Sequence, residues 1–217
     1  MWVYEAIFFD FGGVIVSSPF EAFNAYEAEN GLPVNFIRGV NSVNSHDNAW
    51  ALLERNDISP DEFDQRFADE SAQLGHRIPG SVVLELIYGA ARPVMVRALD
   101  VLKEEGFLLA CLTNNVIANR HSDVRASQVA PILRRFDHVI ESSKVGVRKP
   151  ERRFYEIACE RAGVNASACV FLDDLGINLK PAREMGMATI KVTSGPQALN
   201  ELATLLNLTR LRDLVDS

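Results

Sequence analysis

Short apolar runs alternate with amphipathic segments along most of the chain. Runs of successive apolar residues, interrupted by few polar ones, occur at residues 6–9, 107–112, 138–141, 168–172 and 188–192. Runs of this length are typical of strands that are covered on both faces, as in a parallel sheet. The pattern therefore predicts five buried strands, with the first very close to the N-terminus.

The segments between these runs have helical periodicity. Residues 93–105 begin at a proline, place Val94, Ala98 and Val101 on one face, and end before Gly106, which are ordinary helix start and stop signals. Residues 150–162 and 196–206 follow the same pattern. Strands alternating with helices predict an α/β, Rossmann-like fold, in which a parallel sheet has helices on both faces.

Residues 17–92 interrupt this alternation because they contain helical patterns but no convincing strand. Ser59, Pro60 and Glu62 form a capped helix start, after which Phe63 and Phe67 fall at helical spacing. We therefore predict an α/β core made of residues 1–16 and 93–217, with a helical insertion at residues 17–92 after the first strand.

The composition and charge of the chain argue against several classes of function. The chain has 217 residues, 22 basic and 29 acidic, with a net charge of −7, which argues against a nucleic-acid-binding surface. The N-terminus does not have the pattern of a signal peptide, and no apolar stretch has the length of a membrane span. The isolated Cys111, Cys159 and Cys169 indicate buried thiols in a reducing compartment. These features predict a cytoplasmic protein that binds neither membrane nor nucleic acid; they make no prediction of oligomeric state.

Polar residues lie just after four of the apolar runs or in the loops that follow them. They are Asp10, Thr113, Lys149 and the adjacent pair Asp173 and Asp174. Ligands of open α/β sheets bind outside the carboxyl ends of the strands, so we expect these side chains to share one pocket. A single aspartate at a strand end is usually a turn or cap residue; the ordered set of four favours a functional site.

The residue types fit phosphoryl transfer. Asp10 is ionised at neutral pH by its ordinary pKa and needs no base to act as a nucleophile. Asp10 with Asp174 makes a hard oxygen site suited to Mg²⁺, and Lys149 adds a second cation. The Thr113 hydroxyl and the Asn114 amides are available for the remaining phosphate oxygens.

These residues resemble the motifs of the haloacid dehalogenase superfamily of phosphohydrolases over residues 4–16 and 93–206. Three segments resemble the phosphatase domain of soluble epoxide hydrolase and the related domain fused to some acyl-CoA dehydrogenases: residues 112–115, 140–150 and 170–182. The helical insertion resembles the cap of that family. The resemblance implies a strand order of 5-4-1-2-3, with the strand before Asp10 in the centre.

The same resemblance implies a role for each site residue. Asp10 would be the nucleophile and a Mg²⁺ ligand, with the Gly12 carbonyl and Asp174 as further ligands. Asp173 would support Lys149 or a metal-bound water. Thr113 and Asn114 would bind phosphate, and Lys149 would neutralise it.

Gly12 departs from the family pattern. Active phosphatases of this family usually carry a second aspartate at this position, which protonates the leaving group and later activates water. Such general acid–base help contributes about 10²–10⁴-fold to a rate. We therefore expect Mg²⁺ and phosphate binding to persist, while hydrolysis of esters with poor leaving groups is weakened.

Three functions are compatible with these residues. The first is a Mg²⁺-dependent phosphohydrolase that acts on a small organic phosphate through an aspartyl-phosphate intermediate. The second is a metal-independent 2-haloacid dehalogenase, which also lacks the second aspartate but does not keep a paired acidic motif. The third is a catalytically weak protein that binds a phosphorylated ligand.

Substrate choice belongs to the insertion. Arg38 or Arg55 is a candidate for binding a second anionic group of the substrate. Aromatic side chains at helical spacing more often form the insertion's own core than a substrate pocket. The aromatic candidates are Phe20, Phe23, Trp50, Phe63 and Phe67.

Overall fold

A five-stranded parallel sheet forms the centre of the protein in a computed structural model that describes residues 3–87, 89–115 and 129–216. The strand order is β3-β2-β1-β4-β5, which is the predicted order 5-4-1-2-3 read from the opposite edge of the sheet. Every neighbouring pair is parallel. The strands are β1 Ala6–Phe9, β2 Leu108–Thr113, β3 His138–Glu141, β4 Cys169–Asp173 and β5 Ala188–Lys191.

The central strand β1 is buried on both faces, as its uninterrupted apolar sequence predicts. Ile7 and Phe9 pack into one hydrophobic cluster, whereas Ala6 and Phe8 pack into another, because successive side chains of a strand point to opposite faces. Phe9 is level with Cys111 of β2 and with Leu172 of β4. Beyond this level β2 continues for two residues and β4 for one, so the three central strands end close together at one edge.

Helices cover both faces of the sheet, which confirms the predicted α/β architecture. On the face of Ile7 and Phe9 lie α6 Pro93–Glu104, α10 Gly195–Leu206 and α11 Arg210–Asp216. On the opposite face lie α8 Arg152–Ala162 and α9 Gly176–Glu184. The short α7 Ser142–Val145 follows β3, and a 3₁₀ turn, Ala166–Ala168, precedes β4.

The helix that follows Lys149 begins two residues later than the sequence predicts. Pro150 was expected to start it, whereas α8 starts at Arg152, with Glu151 as the N-cap residue. The backbone of Lys149 is held in the preceding loop by hydrogen bonds to the side chain of Asn114. The loop therefore extends through Pro150, and the helix starts only after it.

The insertion after β1 is helical throughout its described part, with no regular strand there. Its core includes Phe23, Ile37, Phe63 and Phe67, all of them buried. The backbones at its two ends pair, since Ser17 N donates to Ala90 O at 2.8 Å. Its helices are α1 Pro19–Glu29, α2 Phe36–Ser42, α3 Ala49–Glu54, α4 Pro60–Gln73 and α5 Gly80–Leu86.

Helix α4 has the predicted capping box. The Glu62 N–H donates to Ser59 Oγ at 3.2 Å, and the Ser59 N–H donates to Glu62 Oε2 at 2.9 Å. Two backbone N–H groups that would otherwise lack helical partners are thereby satisfied. The helix start at Ser59 is therefore determined by local sequence.

Two further sequence expectations concern the cysteines and the membrane. Cys111 and Cys169 are buried and Cys159 is half-buried, and all three are free thiols. In the described part of the chain, no helix combines the length and the apolar character that a bilayer crossing requires.

Candidate active site

The carboxyl edge of the sheet brings together the polar residues that the sequence singles out. Asp10 follows β1, Thr113 ends β2 and Asp173 ends β4, while Lys149 comes from the loop before α8. Asp10, Lys149 and Asp173 are 8%, 1% and 0% exposed. Buried charged groups require partners, and here each provides them for the others.

Lys149 links two carboxylates. Its Nζ lies 2.7 Å from Asp10 Oδ1 and 2.8 Å from Asp173 Oδ2. Burial alone would lower the pKa of Lys149, but the charges of Asp10 and Asp173 outweigh it and raise the pKa above its ordinary value. Lys149 is therefore a fixed cation at neutral pH.

The carboxylate of Asp173 is fully engaged by its neighbours. Its Oδ1 accepts from Leu175 N at 2.8 Å, and Asn178 Nδ2 donates to both of its oxygens, at 3.1 and 3.0 Å. Sequence reasoning assigned no role to Asn178, although it lies in the segment that carries the family resemblance. Asp173 thus contacts both Lys149 and Asn178, and its predicted support of Lys149 stays a prediction.

Asp10 and Asp174 are the remaining carboxylates. Burial raises the pKa of Asp10 above its ordinary value, and Lys149 opposes that rise. Burial and the charge of Asp173 raise the pKa of Asp174 to about 6. The Phe11 N–H donates to Asp10 Oδ1 at 2.7 Å, and Ser18 Oγ lies 3.5 Å from Asp174 Oδ2.

These residues fit a divalent cation. One carboxylate oxygen from each of Asp10, Asp173 and Asp174 lies within 4.8 Å of the others. Three carboxylates face the ammonium of Lys149, so a further positive charge would stabilise their ionised forms. Because Asp173 is engaged by Lys149 and Asn178, Asp10 and Asp174 are the carboxylates available to a hard cation such as Mg²⁺.

The two glycines after Asp10, Gly12 and Gly13, differ in whether the structure admits a side chain at their positions. Gly13 has a φ of +74°, and a Cβ there would lie 2.2 Å from Asp174 Oδ2, so both the backbone conformation and the close approach demand glycine. A Cβ at Gly12 would meet only Pro19 Cδ, at 3.9 Å. The absence of a side chain at Gly12 is therefore not imposed by space.

The Asn114 side chain contacts the backbone of Lys149. Its Nδ2 donates to Lys149 O at 2.9 Å, and its Oδ1 accepts from Lys149 N at 2.9 Å. The amide thus positions Lys149, and the predicted phosphate contact of Asn114 rests on its backbone N–H. Thr113 is half-buried at the end of β2.

A buried ion pair joins the insertion to this edge of the sheet. Glu54 Oε2 lies 2.5 Å from Arg148 Nε, and Arg148 Nη1 donates to Ser45 O at 3.0 Å. Asn114 Nδ2 also lies 3.4 Å from Glu54 Oε2. Burial raises the pKa of Glu54, although Arg148 opposes the rise. Sequence reasoning did not identify this pair.

A cavity of about 270 Å³ lies between the insertion and the sheet edge, beside Asp174. Of the two arginines proposed to bind a second anionic group, Arg38 lines this cavity, whereas Arg55 pairs with Asp57 at 2.8 Å. Phe20 also lines it. The other four aromatic candidates, Phe23, Trp50, Phe63 and Phe67, pack in or against the insertion's own core.

A model of one protein family matches most of the chain. The model of the haloacid dehalogenase-like hydrolases matches residues 4–186. The chain therefore belongs to that family of hydrolases, as the motifs at the strand ends predict.

Curated relatives include both domain types that the sequence resembles. Acyl-CoA dehydrogenase family member 10 of Mus musculus is 32% identical over 94% of this chain, and bifunctional epoxide hydrolase 2 of the same organism is 32% identical over 89%. The chain spans only 19% and 37% of the lengths of these two proteins. A sesquiterpene phosphatase of Aspergillus oryzae is 27% identical over 96% of both chains.

Solved structures show the same fold. A family enzyme from Bacteroides thetaiotaomicron, in complex with magnesium and inorganic phosphate, superposes with a TM-score of 0.60 and 20% identity. The match covers 88% of this chain and 96% of that one. At this identity the likeness concerns the fold alone.

Proposed function

We propose that this protein is a Mg²⁺-dependent phosphohydrolase that acts on a small organic phosphate, with Asp10 as the nucleophile. The observation that carries the proposal is the buried arrangement in which Lys149 bridges Asp10 and Asp173 while Asp174 stands beside them. An anionic nucleophile can approach an anionic phosphate only where cations are already in place. The relationship to a phosphatase over nearly its whole length supports the same chemistry.

The proposed first step transfers the phosphoryl group to Asp10. The Phe11 N–H and Lys149 hold Oδ1, so we expect Oδ2 to attack phosphorus as the bond from phosphorus to the leaving oxygen breaks. Water then attacks the phosphorus of the aspartyl-phosphate, the bond from phosphorus to Asp10 Oδ2 breaks, and inorganic phosphate leaves. The leaving oxygen takes its proton from solvent, and the attacking water returns one to solvent. Lys149 and the Thr113 hydroxyl would bind phosphoryl oxygens, together with the backbone N–H of Asn114.

The metal would be held by Asp10, Asp174 and the Gly12 carbonyl. When bound, Mg²⁺ supplies positive charge that neutralises the phosphate oxygens. Lys149 remains in place whether or not the metal is present, because two carboxylates and the loop contacts of Asn114 hold it. The side chains thus orient the nucleophile in advance of substrate binding.

The helical insertion is proposed to act as a cap over this site. It reaches the sheet edge through the Glu54–Arg148 ion pair and through Ser18, which faces Asp174. A cover of this kind excludes water during phosphoryl transfer. It also places residues of the insertion beside the substrate.

The first test measures hydrolysis of p-nitrophenyl phosphate with Mg²⁺ and with EDTA. This ester has a good leaving group, so the missing acid at Gly12 should not hide a working nucleophile. We expect turnover that requires Mg²⁺ and that is lost in Asp10→Asn, a variant of nearly the same size and shape. Turnover of a 2-haloacid without metal would instead assign the dehalogenase activity.

A wild-type rate no higher than that of Asp10→Asn, together with no haloacid turnover, would overturn the proposal. Binding of inorganic phosphate under those conditions would then identify a phospho-ligand-binding protein. Calorimetry with Mg²⁺ and phosphate distinguishes that outcome.

A further inference from the structure

Three cationic side chains from separate elements line the cavity beside Asp174. Arg38 comes from α2 of the insertion, Arg92 is the N-cap residue of α6, and Lys191 ends β5. Among the described residues, none of these three side chains forms an ion pair with a carboxylate. Their charge is therefore available to an anionic ligand.

The acidic residues of this cavity do not cancel that charge. Glu21 lines it and, like Arg38 and Lys191, is exposed to solvent, so it offsets at most one of the three positive charges. Asp174 also lines it, and in the proposed function its carboxylate binds the metal. Two guanidinium groups and one ammonium thus face one uncommitted carboxylate.

The position of Arg38 is supported by an aromatic ring. Its guanidinium lies 4.1 Å from the centre of the Phe20 ring, and Nη1 lies 3.4 Å from Asn35 Oδ1. Phe20 itself lines the cavity. Stacking on a ring restricts a guanidinium while leaving its N–H edge free to donate to an oxyanion.

The cavity adjoins the reacting centre. Asp174 is part of its wall, and a carboxylate oxygen of Asp174 lies within 4.8 Å of one from Asp10. The volume of about 270 Å³ is slightly below the range of roughly 300–1,000 Å³ that is usual for small-molecule sites. A ligand that reaches from Asp10 into this space is therefore compact.

We propose that the substrate is a compact phosphomonoester with a second anionic group, which Arg38, Arg92 and Lys191 bind while its phosphate lies at Asp10. This inference rests on the proposed function and names the substrate class of that site. The second group is an oxyanion, either a carboxylate or another phosphate, since guanidinium groups pair with both. Hydrolysis consumes one water and releases inorganic phosphate and an alcohol that keeps the second anion.

The test compares three ligands that share a three-carbon skeleton. Glycerol 3-phosphate has a neutral end, 3-phosphoglycerate has a carboxylate, and glycerol 1,3-bisphosphate has a second phosphate. Calorimetry on Asp10→Asn in the presence of Mg²⁺ measures affinity without turnover. We expect 3-phosphoglycerate, glycerol 1,3-bisphosphate or both to bind about tenfold to a hundredfold more tightly than glycerol 3-phosphate, the range of a charge-assisted contact.

Variants of the arginines locate the effect. Arg38→Gln and Arg92→Gln, each made in the Asp10→Asn protein, should reduce that preference, measured as the ratio of each affinity to that for glycerol 3-phosphate, at least severalfold. Arg55→Gln is the matched control, because Arg55 belongs to the same insertion but pairs with Asp57 outside the cavity. It should keep the full preference. Comparison of the two anionic ligands shows which oxyanion the site favours.

Equal affinity for all three ligands, no binding of any of them, or a preference that survives both arginine substitutions would overturn the inference. The proposed hydrolysis fails separately, through p-nitrophenyl phosphate. An anion preference without turnover of that ester would retain the cavity as a binding site and remove the phosphatase assignment. Turnover of that ester without an anion preference would retain the phosphatase assignment and remove the cavity as a site for a second anion.

Discussion

Gly12 is the residue at which the site departs from the family pattern, and we expect this departure to slow the hydrolysis of esters with poor leaving groups. The family resemblance implies a general acid at this position, and the space above Gly12 admits a side chain, since a Cβ would only touch Pro19 Cδ at 3.9 Å. Its φ also lies outside the region that favours glycine. The missing acid is therefore a chemical difference that a substitution can reverse.

Gly12→Asp is predicted to increase hydrolysis of alkyl phosphates by about 10²-fold or more, because a carboxyl group can then protonate the leaving alkoxide. The rate on p-nitrophenyl phosphate should change much less. The ratio of kcat/KM for an alkyl phosphate to that for p-nitrophenyl phosphate measures the effect. Gly12→Asn has nearly the same size and no ionisable proton, so an equal gain there would contradict the acid role.

Gly13→Ala is predicted to abolish Mg²⁺ binding. A methyl group at this position would lie 2.2 Å from Asp174 Oδ2 and would displace that carboxylate. Calorimetric titration with Mg²⁺ measures the loss. Gly163→Ala is the control, because Gly163 also has a positive φ, +67°, but has no atom near its Cβ position. Both variants should lose stability, by roughly 1 kcal/mol or more from backbone strain, but only Gly13→Ala should lose the metal.

Among the structural elements, α3 joins the insertion to the sheet edge through an ion pair at its end. Glu54 at its end is 6% exposed in its side chain, and its partner Arg148 is 15% exposed. Arg148 immediately precedes Lys149, and Asn114 contacts both Glu54 and the Lys149 backbone. Displacement of α3 would therefore be transmitted to the cation that faces the nucleophile.

Glu54→Gln is predicted to destabilise the protein by about 1–3 kcal/mol, because it leaves the charge of a mostly buried arginine unpaired. Urea unfolding measures this change. In a double-mutant cycle with Arg148→Met, the coupling energy should be about 0.5–3 kcal/mol, the range for residues in contact. Additive effects of the two substitutions would show that the pair does not hold the insertion.

At the scale of the whole molecule, folding brings three negatively charged side chains together in a chain whose net charge is already −7. Asp10 and Asp173 are buried and Asp174 is half-buried at one edge, where Lys149 is the cation paired with the first two among the described residues. A bound divalent cation removes this repulsion. Metal binding should therefore be visible in the stability of the entire fold.

Mg²⁺ at roughly 100 times its Kd is predicted to stabilise the folded protein by about 2.7 kcal/mol. For a chain of this size, that raises the melting temperature by about 5–10 °C. Thermal unfolding in Mg²⁺ and in EDTA measures the shift. Asp174→Asn should abolish it and, in EDTA, should melt above the wild type because one repelling charge is gone. A variant that melts lower in EDTA would contradict the repulsion.

The apolar pattern by itself determined the strands, their parallel arrangement and the helices on both faces. It did so because a strand that is buried on both faces needs consecutive apolar residues. A helix that is buried on one face needs apolar residues at its own spacing of three to four. The order of the strands followed from the family resemblance, and the structure agrees. Asp10, Lys149 and Asp173 could be placed together from sequence because parallel strands end at a common edge.

Tertiary structure alone decided the contacts between side chains that no local pattern connects. The Asn114 amide is committed to the Lys149 backbone, Asn178 to Asp173, and Glu54 to Arg148. Arg38 and Arg55 are equivalent candidates in the sequence, and only the packing of the insertion directs Arg38 to the cavity. Such choices depend on how separate elements approach in space, which hydrophobic periodicity does not encode.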